Sequence, residues 1–183
     1  PQTLREIGGP YVPLALTPHC PLTVNPEHLR EVAELAIEQG AIITVHTSEN
    51  IPENDDTIAA HGERPTQLLD ITGILDLKPV LAHGVHLHEP ERLLIAAKGA
   101  CVAHCPGSNL KLASGAADLV QYRQDGITVG LGSDGSSTSN DLDMFAVMRL
   151  AANLARLVRS DPAAIASSEI VRSATIDGAT ALG

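Results

Sequence analysis

Three stretches of this sequence end an apolar run on a side chain able to do chemistry. Val45-His46-Thr47-Ser48-Glu49-Asn50 closes the run from Ala41 to Val45 with an imidazole and sets a carboxylate three residues further on. Val80-Leu81-Ala82-His83 ends on a second imidazole, and Val129-Gly130-Leu131-Gly132-Ser133-Asp134 ends on a carboxylate. Imidazoles and a carboxylate at neighbouring strand ends are a ligand set suited to zinc. Plainer readings exist for each group: a lone histidine is more often a hydrogen-bonded structural residue than a ligand, and an aspartate among glycines is a turn former. Against them, a carboxylate at the end of a buried strand costs desolvation unless a cation or donors meet it, and Glu49 stands close to His46 in sequence.

The elements that must position these groups alternate along the chain. Val12 to Thr17 reads as a short strand, followed by Asn25-Pro26-Glu27, a helix start with cap, first-turn proline and dipole-matched acid. Leu29, Val32, Ala33, Ala36 and Ile37 recur at helical spacing up to the stop at Gly40. After the strand to Val45, residues 51–63 read as a polar loop broken by Pro52 and Gly62, a candidate lid. Helix is expected over Pro65–Leu77, strand over Lys78–Val85, helix over Glu89–Lys98 and strand over Ala100–His104. Helix over Ala116–Gln124, strand over Ile127–Gly132, a polar loop over Ser136–Asp141, helix over Leu142–Val158 and a last helix from Pro162 to about Ala174 complete the series. Near-continuous apolar strands joined by helices imply parallel pairing. Five strands, ending near Thr17, Val45, Ala82, Ala103 and Gly132, are too few to close an eight-stranded barrel.

Composition sets the outer bounds. With 183 residues, 44% of them hydrophobic and 19% charged, the chain suits one globular domain over residues 1–183 or a large part of one. A net charge of −10 with 12 dispersed Lys and Arg argues against a nucleic-acid partner. Cys20, Cys101 and Cys105 are too few for a disulfide framework, and the sequence shows neither a signal peptide nor an apolar run long enough for a bilayer. The expectation is a cytoplasmic protein whose cysteines are core residues and whose partner is a small molecule. The start at Pro1, without an initiator methionine, suggests that upstream sequence is missing.

Gly130-Leu131-Gly132-Ser133-Asp134-Gly135 matches the G-x-G-x-x-G dinucleotide fingerprint after a strand. Its context fails. No helix is expected at the third glycine, and an acid occupies the supposed pyrophosphate loop. A dinucleotide-binding module, or an inactive remnant, is therefore the alternative from another functional class.

His46-Thr47-Ser48-Glu49, Ala82-His83-Gly84-Val85-His86-Leu87, Val102 to Leu112 (with His104-Cys105-Pro106-Gly107-Ser108-Asn109) and Leu131-Gly132-Ser133-Asp134-Gly135 together resemble the amidohydrolase superfamily. The likeness runs from about Pro13 to Gly183 and includes Ala174–Gly183, similar to the helix that closes such barrels. Within the superfamily the motifs look most like the aminohydrolases of S-adenosylhomocysteine and methylthioadenosine, with guanine deaminases and chlorotriazine hydrolases as near relatives. The resemblance implies an α/β chain forming the C-terminal portion, about strands four to eight, of a metal-dependent (β/α)8 barrel. The N-terminal strands and a β-sandwich would lie outside this sequence.

It also implies one divalent metal, zinc first and iron(II) second, held by His46, Asp134 and an H-x-H pair on the first barrel strand. His86-Leu87-His88 does not substitute for that pair, since it follows its strand. Glu49 would shuttle protons and touch substrate, His83 would orient the attacking water, Asp134 would accept a proton as well as bind metal, and His19 would contact substrate. The reaction implied is deamination of an aminopurine-type heterocycle, with guanine and triazine left open as substrates. An incomplete barrel exposes apolar edges, so a homo-oligomer is also compatible. The 183-residue chain by itself is expected to be inactive.

Overall fold

The computed structural model describes residues 13–183, so Val12, the first residue of the expected strand, lies outside the described residues. Five strands form one sheet in the order β1 (Ala15–Leu16), β2 (Ile42–Thr47), β3 (Val80–His83), β4 (Cys101–His104) and β5 (Thr128–Leu131). Every neighbouring pair is parallel, with registers such as His46 against Ala82 and Ala103 against Gly130. Sequence order equals spatial order, which is how consecutive strands of a (β/α) barrel are laid down. The architecture is a parallel α/β sheet of the kind that forms part of a (β/α) barrel.

Alternation along β2 shows how the strand is held. Ile43, Val45 and Thr47 are buried, while Ile42, Thr44 and His46 on the other face are half-buried. The buried face packs into a single apolar core with Leu29, Ala33 and Ala36 of α1 (Pro26–Gln39), Leu68 and Leu69 of α3 (Pro65–Ile71) and Leu81 and Val102 of the neighbouring strands. Helix α1 begins and ends as its sequence suggests. The Asn25 side chain accepts from the His28 N–H, and Gly40 closes the helix in the left-handed region at φ 56°.

Residues 51–63 correct the lid expectation. They form helix α2 (Ile51–His61), with the Asn50 side chain accepting from the Glu53 N–H at 2.9 Å, Pro52 in the first turn and Gly62 as C-cap at φ 77°. Proline and glycine, read as interruptions, are the punctuation at the two ends of the helix. The stretch expected as one helix over Pro65–Leu77 is divided: after α3 the chain turns at Thr72 and Gly73 and resumes as a 3₁₀ turn at Leu75–Leu77.

Helices α4 (Glu89–Lys98), α5 (Pro106–Lys111) and α6 (Leu119–Gln124) follow, then α7 (Ser136–Ser139), a single turn inside the expected loop. Helix α8 (Met144–Arg159) starts behind the Asp143 cap, and α9 (Ser167–Ala174) and α10 (Ile176–Ala181) end the chain. Asp177, only 6% exposed, accepts from both Arg123 and Arg172, which pins α10 to α6 and α9.

Packing accounts for the glycine fingerprint. A Cβ on Gly130 would stand 3.1 Å from the Gly178 backbone of α10, and one on Gly132 would stand 3.0 Å from Cys105 Sγ. These glycines let a helix and a side chain approach β5, and the helix that follows is one turn long. The pattern therefore gives no support to a dinucleotide site.

Candidate active site

The expected chemical residues gather at the C-terminal ends of the strands. His19, His46 and His83 form a row, with ring centroids 5.1 Å apart for the first pair and 5.3 Å for the second. Glu49 Oε2 lies 3.8 Å from His83 Nε2. Asp134, three residues beyond β5, stands within electrostatic reach of His83.

Backbone strain marks the same rim. Ser48 (φ 50°), His83 (φ 70°) and Asp134 (φ 59°) all lie in the left-handed region that non-glycine residues rarely occupy. They follow or end β2, β3 and β5, where regular strand geometry must break for the side chains to turn toward the mouth. Strain held at several strand ends is a feature of functional sites.

Each ring is oriented by a hydrogen bond at Nδ1. His46 Nδ1 donates to the His19 carbonyl at 2.7 Å, which leaves the Nε2 lone pair available as a ligand. His83, 2% exposed, donates from Nδ1 to Asn109 Oδ1 at 2.9 Å, so its Nε2 also presents a lone pair. The exposed ring of His19 is tied at Nδ1 to Thr23 Oγ1 at 2.7 Å, leaving its other nitrogen to a ligand.

The acids differ in their surroundings. Partial burial opposes the charge of Asp134, but the nearby hydroxyls of Ser108 and Thr138, the Gly135 N–H and the His83 ring outweigh it and hold the carboxyl below its usual range. Asp134 is thus an ionised oxygen donor. Glu53 accepts at its two oxygens from the Ser48 and Glu49 N–H groups, at 3.2 and 2.7 Å, and so fixes the turn that carries Glu49. Burial nevertheless raises the Glu53 carboxyl above its ordinary value, these N–H groups only partly opposing it.

Cys105 is no nucleophile. Burial, helped by the Asp134 charge, pushes its thiol up to about 12, and thiolate is the reactive form. Cys20 and Cys101 are buried too, as core residues should be. His28 is exposed and His61 half-buried.

Among the described residues, no three His, Cys, Asp or Glu side chains converge closely enough to hold a metal ion. His46 and Asp134 still offer donors of the right kind, one neutral imidazole nitrogen and one carboxylate. A cavity of about 260 Å³ opens beside His46, lined also by His19, Thr23, Glu49, Asn50 and Asp56. A larger one, about 530 Å³, lies at the opposite end of β5 among Arg123, Thr128, Glu169 and Arg172. The smaller cavity is the one that meets His19, His46 and Glu49.

Sequence reasoning missed three supporting residues. Glu53 was hidden in the segment read as a loop. Asn109 falls inside a quoted motif but Ser114 does not, and with 26 and 65 positions between them and the residues they contact, no local pattern reveals either contact.

Residues 3–183 match the amidohydrolase family. The chain is 43% identical over 166 residues to a 5-methylthioadenosine/S-adenosylhomocysteine deaminase of Pelotomaculum thermopropionicum, covering 91% of this chain and 38% of that protein. A zinc-bound adenosine deaminase from Xanthomonas campestris superposes with a TM-score of 0.94 at 37% identity, over 100% of this chain and 42% of that one. A variant of an Arthrobacter aurescens atrazine chlorohydrolase, complexed with zinc and atraton, gives 0.90 at 26% identity, over 100% and 42% of the two chains. The chain thus spans about two fifths of the length of the proteins it matches. With the match extending over nearly all of its length, it belongs to the amidohydrolase family.

Proposed function

We propose that the intact protein is a metal-dependent hydrolase that deaminates an aminopurine-type heterocycle of the S-adenosylhomocysteine, methylthioadenosine or adenosine class. The observation that carries this reading is the placement of Glu49 beside His83, one carboxylate oxygen 3.8 Å from a ring nitrogen whose tautomer Asn109 sets. The names of the more similar relatives support an aminopurine over a triazine, since identity is 43% to the deaminase and 26% to the chlorohydrolase.

His46 and Asp134 would hold one divalent metal, zinc by preference and iron(II) second, together with an H-x-H pair from an N-terminal part of the kind such relatives carry. When bound, the metal lowers the pKa of a water toward about 7 and so supplies a nucleophile at neutral pH. His83 Nε2 accepts a hydrogen bond from the attacking water and aims it at the amine-bearing ring carbon. Glu49 takes the proton of that water, passes it to the ring nitrogen and assists its transfer to the departing amine. Asp134 can accept the second proton of the water once the C–O bond has formed, and that proton goes on to the departing amine. As the C–O bond forms and the C–N bond breaks, ammonia leaves. His19 offers its free ring nitrogen to the substrate at the edge of the cavity.

The experiment is ammonia release by the metal-loaded full-length protein from S-adenosylhomocysteine, methylthioadenosine, adenosine, guanine and a triazine. Turnover highest on one of the first three supports the reading. Turnover on none of the five, by protein shown to contain metal, overturns it. Elemental analysis of His46→Ala tests the metal assignment separately, because retention of metal as tight as in the wild type would remove His46 from the ligand set.

A further inference from the structure

The Val102–Leu112 motif carries no reactive group in the mechanism above, yet its continuation reaches the active site. We infer that Ser114 is a positioning residue for Glu49, clamping one carboxylate oxygen so that the other is presented to His83. The inference rests on the reading of Glu49 as the group that carries the proton.

Ser114 is 6% exposed, and its hydroxyl donates to Glu49 Oε1 at 3.1 Å. With Oε1 occupied, Oε2 is the oxygen that faces His83 Nε2 at 3.8 Å. A glutamate side chain has three rotatable bonds, and on a half-buried residue nothing in the strand fixes them. The Ser114 contact removes that freedom from the side chain, as Glu53 does from the Glu49 backbone through the 2.7 Å bond to its N–H.

The turn that carries Ser114 is built to hold it there. The Ser114 N–H donates back to the Asn109 carbonyl at 2.9 Å, and its own carbonyl accepts from His86 Nε2 at 2.6 Å. On its two sides stand Ala113 at φ 55° and Gly115 at φ 121°. Only glycine suits the second position: a Cβ there would meet Val85 Cγ1 at 3.0 Å and His86 Nε2 at 3.2 Å. The same short segment supplies Asn109 to His83, so one piece of chain orients both Glu49 and the ring that would aim the water.

A serine that only satisfied a turn would bond within the turn. This hydroxyl instead reaches a carboxylate 65 positions away that lines the cavity.

The test uses the full-length, metal-loaded protein and its best substrate. Ser114→Ala is expected to lower kcat by about 10- to 150-fold, the range for losing one hydrogen bond to a charged group. KM is expected to change less than 2-fold or so, with metal content and Tm near wild type. Ser114→Thr, which keeps the donor, should recover most of kcat. In a Glu49→Gln background, adding Ser114→Ala should cost little more, because the two residues act as a unit.

A kcat within about two-fold of wild type for Ser114→Ala, while Glu49→Gln is crippled, overturns the positioning role and leaves the function reading intact. Full, multiplicative losses in the double variant overturn it as well. If Glu49→Gln itself retains turnover, the function reading has failed, independently of Ser114. Should Ser114→Ala not accumulate as folded protein, Ser114→Cys keeps the volume with a weaker donor, and the same kcat criteria apply.

Discussion

His104, the last residue of β4, is 1% exposed, and neither ring nitrogen has a hydrogen-bond partner. Burial, followed by the neighbouring His83, lowers its pKa from 6.5 to about 4. At roughly 1.36 kcal/mol per unit, that shift corresponds to about 3 kcal/mol of pH-dependent stability. In the folded protein His104 stays neutral, whereas in the unfolded chain it takes up a proton below pH 6.5. Between these two pKa values the unfolded state binds more protons, so stability rises with pH across the window. The contribution is complete above the unfolded pKa and is lost as pH falls toward the folded one.

Other shifted acids act differently. The Asp134, Asp125 and Asp177 carboxyls lie below their usual range, so their contributions fade only in stronger acid. Glu53, raised by burial, gives a slope of opposite sign. The perturbation is His104→Leu, which removes the titrating ring and both orphan nitrogens at similar volume. The assay is the urea midpoint of full-length wild type and variant from about pH 7.5 down to pH 4. The wild type should lose about 3 kcal/mol relative to the variant across the window, most of it below pH 6.5. Parallel curves would refute the assignment.

Two further outcomes follow from the structure. Arg64 Nε meets Glu91 Oε2 at 2.7 Å, with Glu91 only 2% exposed, so Arg64→Ala should cost about 3 to 5 kcal/mol in chemical denaturation by stranding a buried carboxylate. Replacing the pair together with Met and Leu should cost less, and a single-variant loss under about 1 kcal/mol would contradict the pairing. The 183-residue chain expressed alone should release no ammonia and should self-associate, because β1 and β5 are sheet edges and apolar side chains such as Phe145 are 82% exposed. Deamination by that chain without an added N-terminal part, or a monodisperse monomer by light scattering, would count against this.

Much of the fold was legible because its signals are local. Apolar runs gave the five strands, and Asn25-Pro26 and Gly40 marked helix α1 at both ends. Helix α2 was not legible: acidic and small residues blur its apolar stripe, and its stability comes from the Asn50 cap and the burial of Glu53, Asn54 and Thr57. At the site, His46, His83 and Asp134 announced themselves by ending strands, which converts sequence position into spatial position. Asn109 and Ser114 act across folded distance, so only the coordinates bring them to the residues they hold, while Glu53 is a local neighbour whose role emerges once its segment is seen to be a helix.

The central claim, proton transfer by Glu49 in a metal-dependent deamination, is tested most directly by Glu49→Gln in the full-length protein, with metal content and ammonia release measured on one preparation. The amide is nearly isosteric and is not a proposed ligand. Metal content should match wild type, and turnover on the best substrate should fall by a factor of about 10² to 10⁴. Turnover within a few-fold of wild type at equal metal content would contradict the account and leave His83 and Asp134 to move the proton.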